Sequence, residues 1–278
     1  MPDVTAQLTA VRAPALAARP GASRSPARPA PRRDADRSRH RLVASLLDGS
    51  CLVADLRAAS ALLGLPVDGL YQVVALDGGG PAARAAGRAT VGGSGLRVHW
   101  HSSRPVEHAL VLLAEGGSSS TPPARSATDR VPHLPPGVRL GAGLPVQGLA
   151  GLADGRRQAH TALALCAADG GRTDLADHLP TALLTADPEL ALQLGTQVLG
   201  PLATTDPAER EVLLDTFTAW LAADGSTRTA AADLGCHRNT VTNRLRRLER
   251  LTGRRVDSPR DLVDLTLAVR AHRLPGTS

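Results

Sequence analysis

The sequence contains no lysine and no isoleucine, and aromatic residues are almost absent. Its four aromatic side chains are Tyr71, Trp100, Phe217 and Trp220, so leucine, valine and alanine must fill any core. Because arginine stands wherever a strong cation is needed, arginine content alone does not indicate a polyanionic partner. The 278 residues are 42% apolar, which is enough for two modest domains with cores of their own.

Cysteine is also scarce, and long apolar runs are missing. Cys51, Cys166 and Cys236 lie far apart and form no C-x-x-C pair, which argues against a disulfide framework or a zinc ribbon. No apolar run approaches the ~20 residues that span a bilayer. The arginine-rich N-terminus lacks the apolar segment of a signal peptide. We therefore expect a cytoplasmic protein with no membrane partner.

The formal net charge of +6 is unevenly distributed. Residues 1–41 carry nine arginines against three aspartates, and residues 226–278 carry eleven arginines against five acids. Each end therefore has a net charge of +6, and the residues between them sum to −6. Two basic ends around an acidic middle indicate contact with a polyanion at one or both ends.

The composition changes along the chain and predicts three parts. Residues 1–39 are rich in Ala, Pro, Arg and Ser without an apolar period, and we expect a disordered tail. This tail is either a solvated extension or a non-specific DNA-binding arm. Residues 40–178 alternate helices and strands, which predicts a small α+β sandwich. Residues 179–278 are helical by periodicity.

Periodicity predicts the individual elements of the two ordered parts. The expected strands are Tyr71–Leu76, Leu96–Trp100, Ala109–Ala114 and Val138–Gly143, and the second and third form an antiparallel hairpin. The expected helices begin near Leu42, cover Val53–Leu63, Pro81–Arg88 and Gly155–Ala168, and continue from Leu179 with Ala186–Val198 and Pro207–Ala223.

Residues 226–253 have the pattern of a helix-turn-helix. Ser226 can cap a short helix whose small buried residues, Ala230 and Ala231, let a second helix approach closely. Gly235 supplies the tight turn, because glycine readily adopts positive φ. The second helix is expected over Arg238–Leu251, with the apolar stripe Val241, Leu245 and Leu248.

The opposite side of this second helix suits the major groove of DNA. Between Arg238 and Arg250 there are five arginines and one acid, whereas an ordinary solvated helix alternates charge signs. Asn pairs with adenine, Arg with guanine, and Thr contacts the thymine methyl. The candidates for base contact are Asn239, Thr242, Asn243 and Arg246, with Arg250 on the same face. The candidates for phosphate contact are Arg238, Thr240, Arg244 and Arg247, together with Thr227 and Arg228 at the start of the preceding helix.

The segment CHRNTVTNRLRRLERLTG resembles the H-R-N-T-V-x-x-R-L-x-x-x-x-x-L-T-G signature of the C-terminal domain of PucR/CdaR-type bacterial regulators. The resemblance extends over about residues 179–274. In that family an Arg-Tyr pair often occupies the positions of Thr242 and Asn243, so a different base preference is expected here. The resemblance implies a transcriptional regulator that binds double-stranded DNA as a homodimer or higher homo-oligomer.

The region from about Arg41 to Ala168 resembles the degenerate GGDEF-like domain that precedes this helix-turn-helix. GVRLGAGLPVQGLAGLADGRRQAHTAL is its most recognisable stretch. Diguanylate cyclases carry a G-G-D/E-E-F loop in the central hairpin, whereas the loop here is HSSRPVEH. This difference implies a sensory or dimerising domain and not an enzyme. The expected fold class is therefore a GGDEF-like α+β domain followed by an all-α helix-turn-helix domain.

Weaker patterns leave other functions open. The α+β domain could sense a small-molecule effector of unknown identity or process a nucleotide. His99, His101 and His108 could hold zinc, or could be polar residues on the wet face of a sheet, which we favour. Cys236 is either a redox switch or a small buried residue in the turn, the reading we favour. The glycine clusters lack the Lys-Ser/Thr of a P-loop. We predict no catalytic residue, no metal site and no cofactor.

Overall fold

A mixed six-stranded sheet with helices on both faces precedes a group of helices in the computed structural model. The structure describes residues 31–102, 105–115, 126–131 and 133–274. Residues 39–278 cluster by their contacts as one unit, and the architecture below is that of this unit. The α+β class predicted from the sequence is confirmed.

The first part of the chain contains six strands and four α-helices among its described residues. The strands are β1 (Leu70–Gly78), β2 (Arg97–Ser102), β3 (Glu107–Ala114), β4 (Val138–Ala142), β5 (Val146–Gln147) and β6 (Gly171–Asp174). The helices are α1 (Pro31–Asp48), α2 (Leu56–Leu63), α3 (Pro81–Gly92) and α4 (Leu152–Ala164), with short 3-10 turns between several elements.

The strand order is β2-β3-β1-β4-β6, and β5 pairs with β1. The β2–β3 and β1–β3 pairs are antiparallel, as is β1–β4, whereas β4–β6 is parallel. Successive side chains of the central strand β1 alternate between two cores. Tyr71, Val73 and Ala75 pack with α1, α2 and α4, and Val74 and Leu76 pack on the side of α3.

Helix α4 lies unusually close to β4 because glycine stands at the point of contact. A Cβ atom on Gly141 would lie 2.2 Å from the backbone nitrogen of Leu163 and 2.5 Å from the carbonyl oxygen of Ala159. No side chain fits at that distance, so the close packing of helix on sheet depends on this glycine.

The second part consists of α5 (Leu179–Ala186), α6 (Pro188–Leu199), α7 (Pro207–Ala222), α8 (Thr227–Asp233), α9 (Arg238–Thr252) and α10 (Pro259–His272). Helix α10 packs against α5 and α6, while α7, α8 and α9 pack against one another. Leu214, Phe217, Leu248 and Leu265 are among the fully buried residues of the core that these helices share. Among the described residues, no helix has the length and apolarity of a transmembrane span.

Several details differ from the sequence-based expectations. Helix α1 begins at Pro31, so residues 31–39 of the expected disordered tail are helical, and residues 1–30 lie outside the described part of the chain. The helix expected over Gly155–Ala168 is α4 and begins and ends earlier. Strands β5 and β6 were not expected. The expected domain boundary falls between the 3-10 turn Leu175–His178 and α5 and stays a prediction.

Candidate nucleic-acid interface

Helix α7 is the support on which the helix-turn-helix rests. The Asp206 carboxylate accepts a hydrogen bond from the Glu209 backbone nitrogen at 3.1 Å, and Pro207 occupies the first turn. Leu213, Leu214 and Phe217 are buried in the helical core. Because α8 and α9 both contact α7, this buried face sets the position of the two helices that follow.

Helix α8 and the turn after it place the start of α9. The Ser226 hydroxyl caps α8 by accepting a hydrogen bond from the Thr229 backbone nitrogen at 3.2 Å. Ala230 and Ala231 are buried, and their small side chains let α9 approach α8 closely. Gly235 has a φ of 60°, as expected for the tight turn between the two helices.

Helix α9 is capped at both ends. His237 is its N-cap, with Nδ1 accepting a hydrogen bond from the Asn239 backbone nitrogen at 3.2 Å. Gly253 ends the helix with a φ of 67°, and its nitrogen donates to the Glu249 carbonyl oxygen at 2.8 Å. The expected apolar stripe is confirmed, since Val241, Leu245 and Leu248 are buried. The capping role of His237 was missed, because histidine is not among the residues that commonly cap helices.

The side of α9 opposite this stripe is exposed to solvent. Five long or polar side chains point away from the core there, namely Arg238, Asn239, Asn243, Arg246 and Arg250. The guanidinium groups of Arg238, Arg246 and Arg250 form no ion pair or hydrogen bond with any residue that the structure describes. An exposed helix face with three such cations has a strongly positive potential and suits a polyanion.

Two other arginines of α9 are bound to α7. Arg244 Nη1 donates to the Thr216 hydroxyl at 3.4 Å, and Arg247 Nε lies 3.3 Å from Glu209 Oε1. Arg244 is half-buried, whereas Arg247 is exposed. Both were expected to contact phosphate. In this structure they join α9 to α7, and Glu209 partly neutralises the charge of Arg247.

The remaining candidates differ in their accessibility. The Thr242 hydroxyl donates to the Arg238 carbonyl oxygen at 3.1 Å, so its proton is used within the helix. Thr240 is half-buried and lines a groove between α7 and α9 together with Asn243. At the start of α8, Thr227 is half-buried and Arg228 is exposed. Sequence reasoning therefore identified a set of residues that surrounds one exposed helix face.

Acidic residues near the end of α9 are occupied by neighbouring arginines. Arg254 Nη1 lies 2.7 Å from Asp264 and 3.2 Å from Asp261, and these pairs hold the start of α10 against the end of α9. The Arg255 backbone nitrogen donates to Asp261 at 3.2 Å, and this hydrogen bond, with the Arg254 guanidinium, lowers the pKa of Asp261. These carboxylates therefore compensate Arg254, and no described carboxylate pairs with the outward Arg238, Arg246 or Arg250.

The expectation that the histidines of the sheet lie on its wet face was wrong for His101 and His108, whereas His99 is half-buried. His101 and His108 face each other across the β2–β3 hairpin and are buried. His40 stacks on His101 with ring centroids 4.2 Å apart, and His108 Nε2 lies 2.8 Å from His160 Nε2 on α4. Burial and the neighbouring His160 lower the pKa of His108 to about 4. Helices α1 and α4 cover this side of the sheet, which the alternation of polar residues in β2 did not indicate.

The described residues contain no group of three or more His, Cys, Asp or Glu side chains placed to hold a metal ion. Cys236 is half-buried and packs against the helical core, in keeping with a packing role in the turn. The outward face of α9 therefore remains the strongest candidate for a functional site.

Two family profiles match the chain. The profile of the PucR C-terminal helix-turn-helix domain matches residues 213–271, which contain most of α7 and all of α8 and α9. The profile of the GGDEF-like domain matches residues 29–165. Both domains that the sequence resembles are thus found by independent comparison, and in the expected order.

Two curated proteins are similar to parts of the chain. The transcriptional activator PmfR of Paenarthrobacter nicotinovorans is 38% identical over 168 residues, which are 58% of this chain and 35% of PmfR. An uncharacterized protein in the pkwA 5′ region of Thermomonospora curvata is 38% identical over 126 residues, 45% of this chain and 68% of that protein. The chain thus spans about a third of the length of PmfR.

A solved structure also aligns with most of the chain. The regulator of polyketide synthase expression from Bifidobacterium adolescentis aligns with 86% of this chain and 93% of its own, at 21% identity. The TM-score is 0.38, at which the two folds cannot be equated.

Proposed function

Because the chain belongs to the family of PucR-type transcriptional regulators, we propose that it binds duplex DNA and reads sequence by inserting α9 into the major groove. The observation that best supports this proposal is that the two sides of α9 differ. One side is anchored in the core by Val241, Leu245 and Leu248, and the other presents exposed amides and guanidinium groups that have no partner among the described residues. A helix anchored from behind and cationic in front fits the groove in the manner of other helix-turn-helix proteins.

We assign base contacts to the centre of the exposed face. Asn239 and Asn243 have the donor and acceptor pair that matches adenine, and Arg246 has the fork that matches guanine. Thr242 uses its hydroxyl proton within α9, so its methyl group is the part that suits contact with a thymine methyl. Arg250 joins this set, since it is exposed on the same face.

We assign phosphate contacts to the flanks of this face. Arg238 and Arg228 are exposed and are not engaged by described residues, so they are available without rearrangement. Arg247 becomes available when its exposed ion pair with Glu209 opens, which costs little because such surface pairs contribute only ~0–1 kcal/mol. Arg244 serves mainly to hold α9 against α7 through Thr216.

The sheet domain has no catalytic role in this proposal. The β2–β3 hairpin lacks the carboxylate set of a diguanylate cyclase, and its Glu107 lies between Arg84 and Arg88 of α3, at 3.9 and 3.5 Å.

Because the proposed partner is chromosomal DNA, we expect the protein in the bacterial cytoplasm. A dimer follows from the small number of base pairs that one helix can read.

The test is a titration of the whole protein against labelled duplex from its own upstream region and against random duplex of equal length. Measurement at roughly 50 and 200 mM salt should show affinity falling steeply with salt, because arginines displace counterions from phosphates. The variant Arg238→Ala/Arg246→Ala/Arg250→Ala should lose most of its affinity for both duplexes.

A matched control removes the same charge elsewhere. The variant Arg57→Ala/Arg130→Ala/Arg157→Ala changes three exposed arginines of the sheet domain and should bind DNA much like the unmodified protein. Absence of binding to either duplex at low salt, or equal losses in the two triple variants, would contradict the proposal.

A further inference from the structure

A cavity of about 250 Å³ lies where α6, α7 and α10 meet, beside the 3-10 turn Gly200–Thr204. Its wall is mainly apolar and includes Ala191, Leu199, Leu214 and Ala271. None of the proposed DNA-contacting residues lines it. The proposed contacts with DNA therefore do not account for the cavity.

Small residues create this space. Gly195 of α6 and Gly200 line the cavity, and a Cβ atom added at either position would meet no atom within 4 Å. Protein interiors are normally close-packed, with few voids larger than a water molecule. An engineered apolar cavity of roughly 150 Å³ is enough to bind benzene. The larger cavity here can hold a small apolar molecule with a polar group attached.

One polar group on the wall has an unmet hydrogen bond. Arg210 lines the cavity, and its Nε is buried without a hydrogen-bond partner in the structure. Nε forms an ion pair with Oε1 of Glu211, but the two atoms are 3.9 Å apart, which is beyond hydrogen-bond distance. His272 lines the cavity from α10. A cationic guanidinium group at the edge of an apolar space matches a carboxylate with an apolar body.

We propose that this cavity is a binding site for a small carboxylic acid, with its apolar chain between α6, α7 and α10 and its carboxylate on Arg210. The Arg210 side chain is 30% exposed although its Nε is buried, so a ligand can reach this side chain from solvent at atoms other than Nε. An entire helix of a protein partner, ~10–12 Å across with its side chains, does not fit such a space.

The site is connected to the helix-turn-helix through α7. Arg210 and Leu214 of the cavity wall are on α7, whose other side contacts α8 and α9. Ala271 and His272 are on α10, which also packs on α6. A ligand that joins these three helices stabilises the support of α9. The site assignment goes beyond DNA binding and stands or falls independently of it.

The first experiment uses octanoate as the probe, with isothermal calorimetry and thermal unfolding of the whole protein in the absence of DNA. Octanoate should bind and raise the unfolding temperature. Gly195→Leu fills the cavity and should lower the affinity for octanoate about tenfold or more. This variant should fold, because leucine has a higher helix propensity than glycine and the space beside residue 195 is open.

Two control variants distinguish the effects of filling the cavity and removing its charge from general effects of a substitution on ligand binding. Gly92→Leu changes a glycine at the end of α3 whose Cβ direction is also open, and it should leave octanoate binding unchanged. Arg210→Gln should lower the affinity for octanoate about tenfold and leave that for the neutral alcohol octanol unchanged. Arg157→Gln changes an exposed residue of α4 and should affect neither ligand.

The proposal is overturned if octanoate does not bind, if Gly195→Leu binds it as tightly as the unmodified protein, or if octanoate and octanol respond alike to Arg210→Gln. Each of these measurements is made without DNA, so a failure of DNA binding would not produce any of them.

Discussion

At the scale of single residues, the arginines of α9 divide according to their partners. Arg246 is exposed and makes no ion pair or hydrogen bond with the described residues, whereas Arg247, next in sequence, is paired with Glu209 at 3.3 Å. Adjacent helix positions point about 100° apart, so in the proposed complex Arg246 faces the centre of the groove and Arg247 its edge. We therefore expect the two side chains to have different roles despite identical chemistry.

Replacing each of these arginines by alanine should separate those roles. Arg246→Ala should reduce the binding free energy for the specific duplex by ~1–3 kcal/mol, because a base contact is lost. The loss for the random duplex should be smaller. Arg247→Ala should weaken binding to both duplexes similarly. It should also lower the slope of log affinity against log salt concentration by about one, because about one counterion fewer is released. Fluorescence anisotropy on both duplexes measures these effects. Equal losses of specificity in the two variants would contradict the assignment.

The buried histidines give a second prediction at this scale. Burial and His160 lower the pKa of His108 to about 4, whereas an exposed histidine titrates near 6.5. Between these values the unfolded chain binds more protons than the folded chain. The free energy of unfolding should therefore fall as the pH drops from about 6.5 to 4, by at most ~1.4 kcal/mol per pH unit for this group.

Denaturant unfolding across this pH range measures the effect. His108→Gln should reduce the pH dependence, although His101 and His160, whose pKa values are also lowered by burial, retain part of it. His133→Gln changes an exposed histidine and should leave the dependence unaltered. A His108→Gln protein with the full original dependence would show that another group carries it.

At the scale of elements, the contact between β4 and α4 depends on a single glycine. A Cβ atom on Gly141 would lie 2.2 Å from the Leu163 backbone nitrogen, and backbone cannot move away as a side-chain end can. Gly141→Ala should therefore lower the free energy of unfolding by about 2–4 kcal/mol through forced separation of helix and strand. Thermal and denaturant unfolding measure this loss.

The control for Gly141→Ala is a glycine with open space. Gly195→Ala places its Cβ where no atom lies within 4 Å, inside α6, and should stabilise the protein slightly through helix propensity. If Gly141→Ala is as stable as Gly195→Ala, the close approach of α4 to β4 is not as tight as the structure has it.

The elements differ in how far the sequence could predict them. Helix α9 was predicted to within one residue because its apolar stripe, its turn glycine and its final glycine agree. Strand β6 (Gly171–Asp174) has one buried residue, Thr173, and therefore no apolar alternation to detect. The early start of α1 was missed because its first residues are mainly polar, without an apolar stripe.

The candidate site was more predictable than its surroundings. An exposed helix face can be predicted from one continuous segment of sequence. The resemblance of that segment to a known signature supported the same prediction. The pairing of Arg247 with Glu209, 38 residues away, depends on how α7 packs against α9. The burial of His101 and His108 depends in the same way on helices α1 and α4, which come from distant parts of the chain.

At the scale of the whole molecule, one α9 helix in the proposed complex would read too few base pairs to select a site in a genome, so we expect two copies to act together. We expect a homodimer that contacts two half-sites roughly 10–10.5 base pairs apart from centre to centre, on one side of the duplex. Nuclease footprinting on the upstream DNA should show a two-fold symmetric protected region, and light scattering should give the mass of a dimer on one duplex.

Changing the spacing of the half-sites tests this arrangement directly. Inserting about five base pairs rotates one half-site to the opposite side of the duplex, so affinity should fall toward that of random DNA, whereas inserting about ten should restore part of it. The Arg246→Ala protein serves as the comparison, since it has lost one base contact in each half-site and should respond less to either insertion. An unmodified protein that is equally insensitive would be reading a single half-site as a monomer.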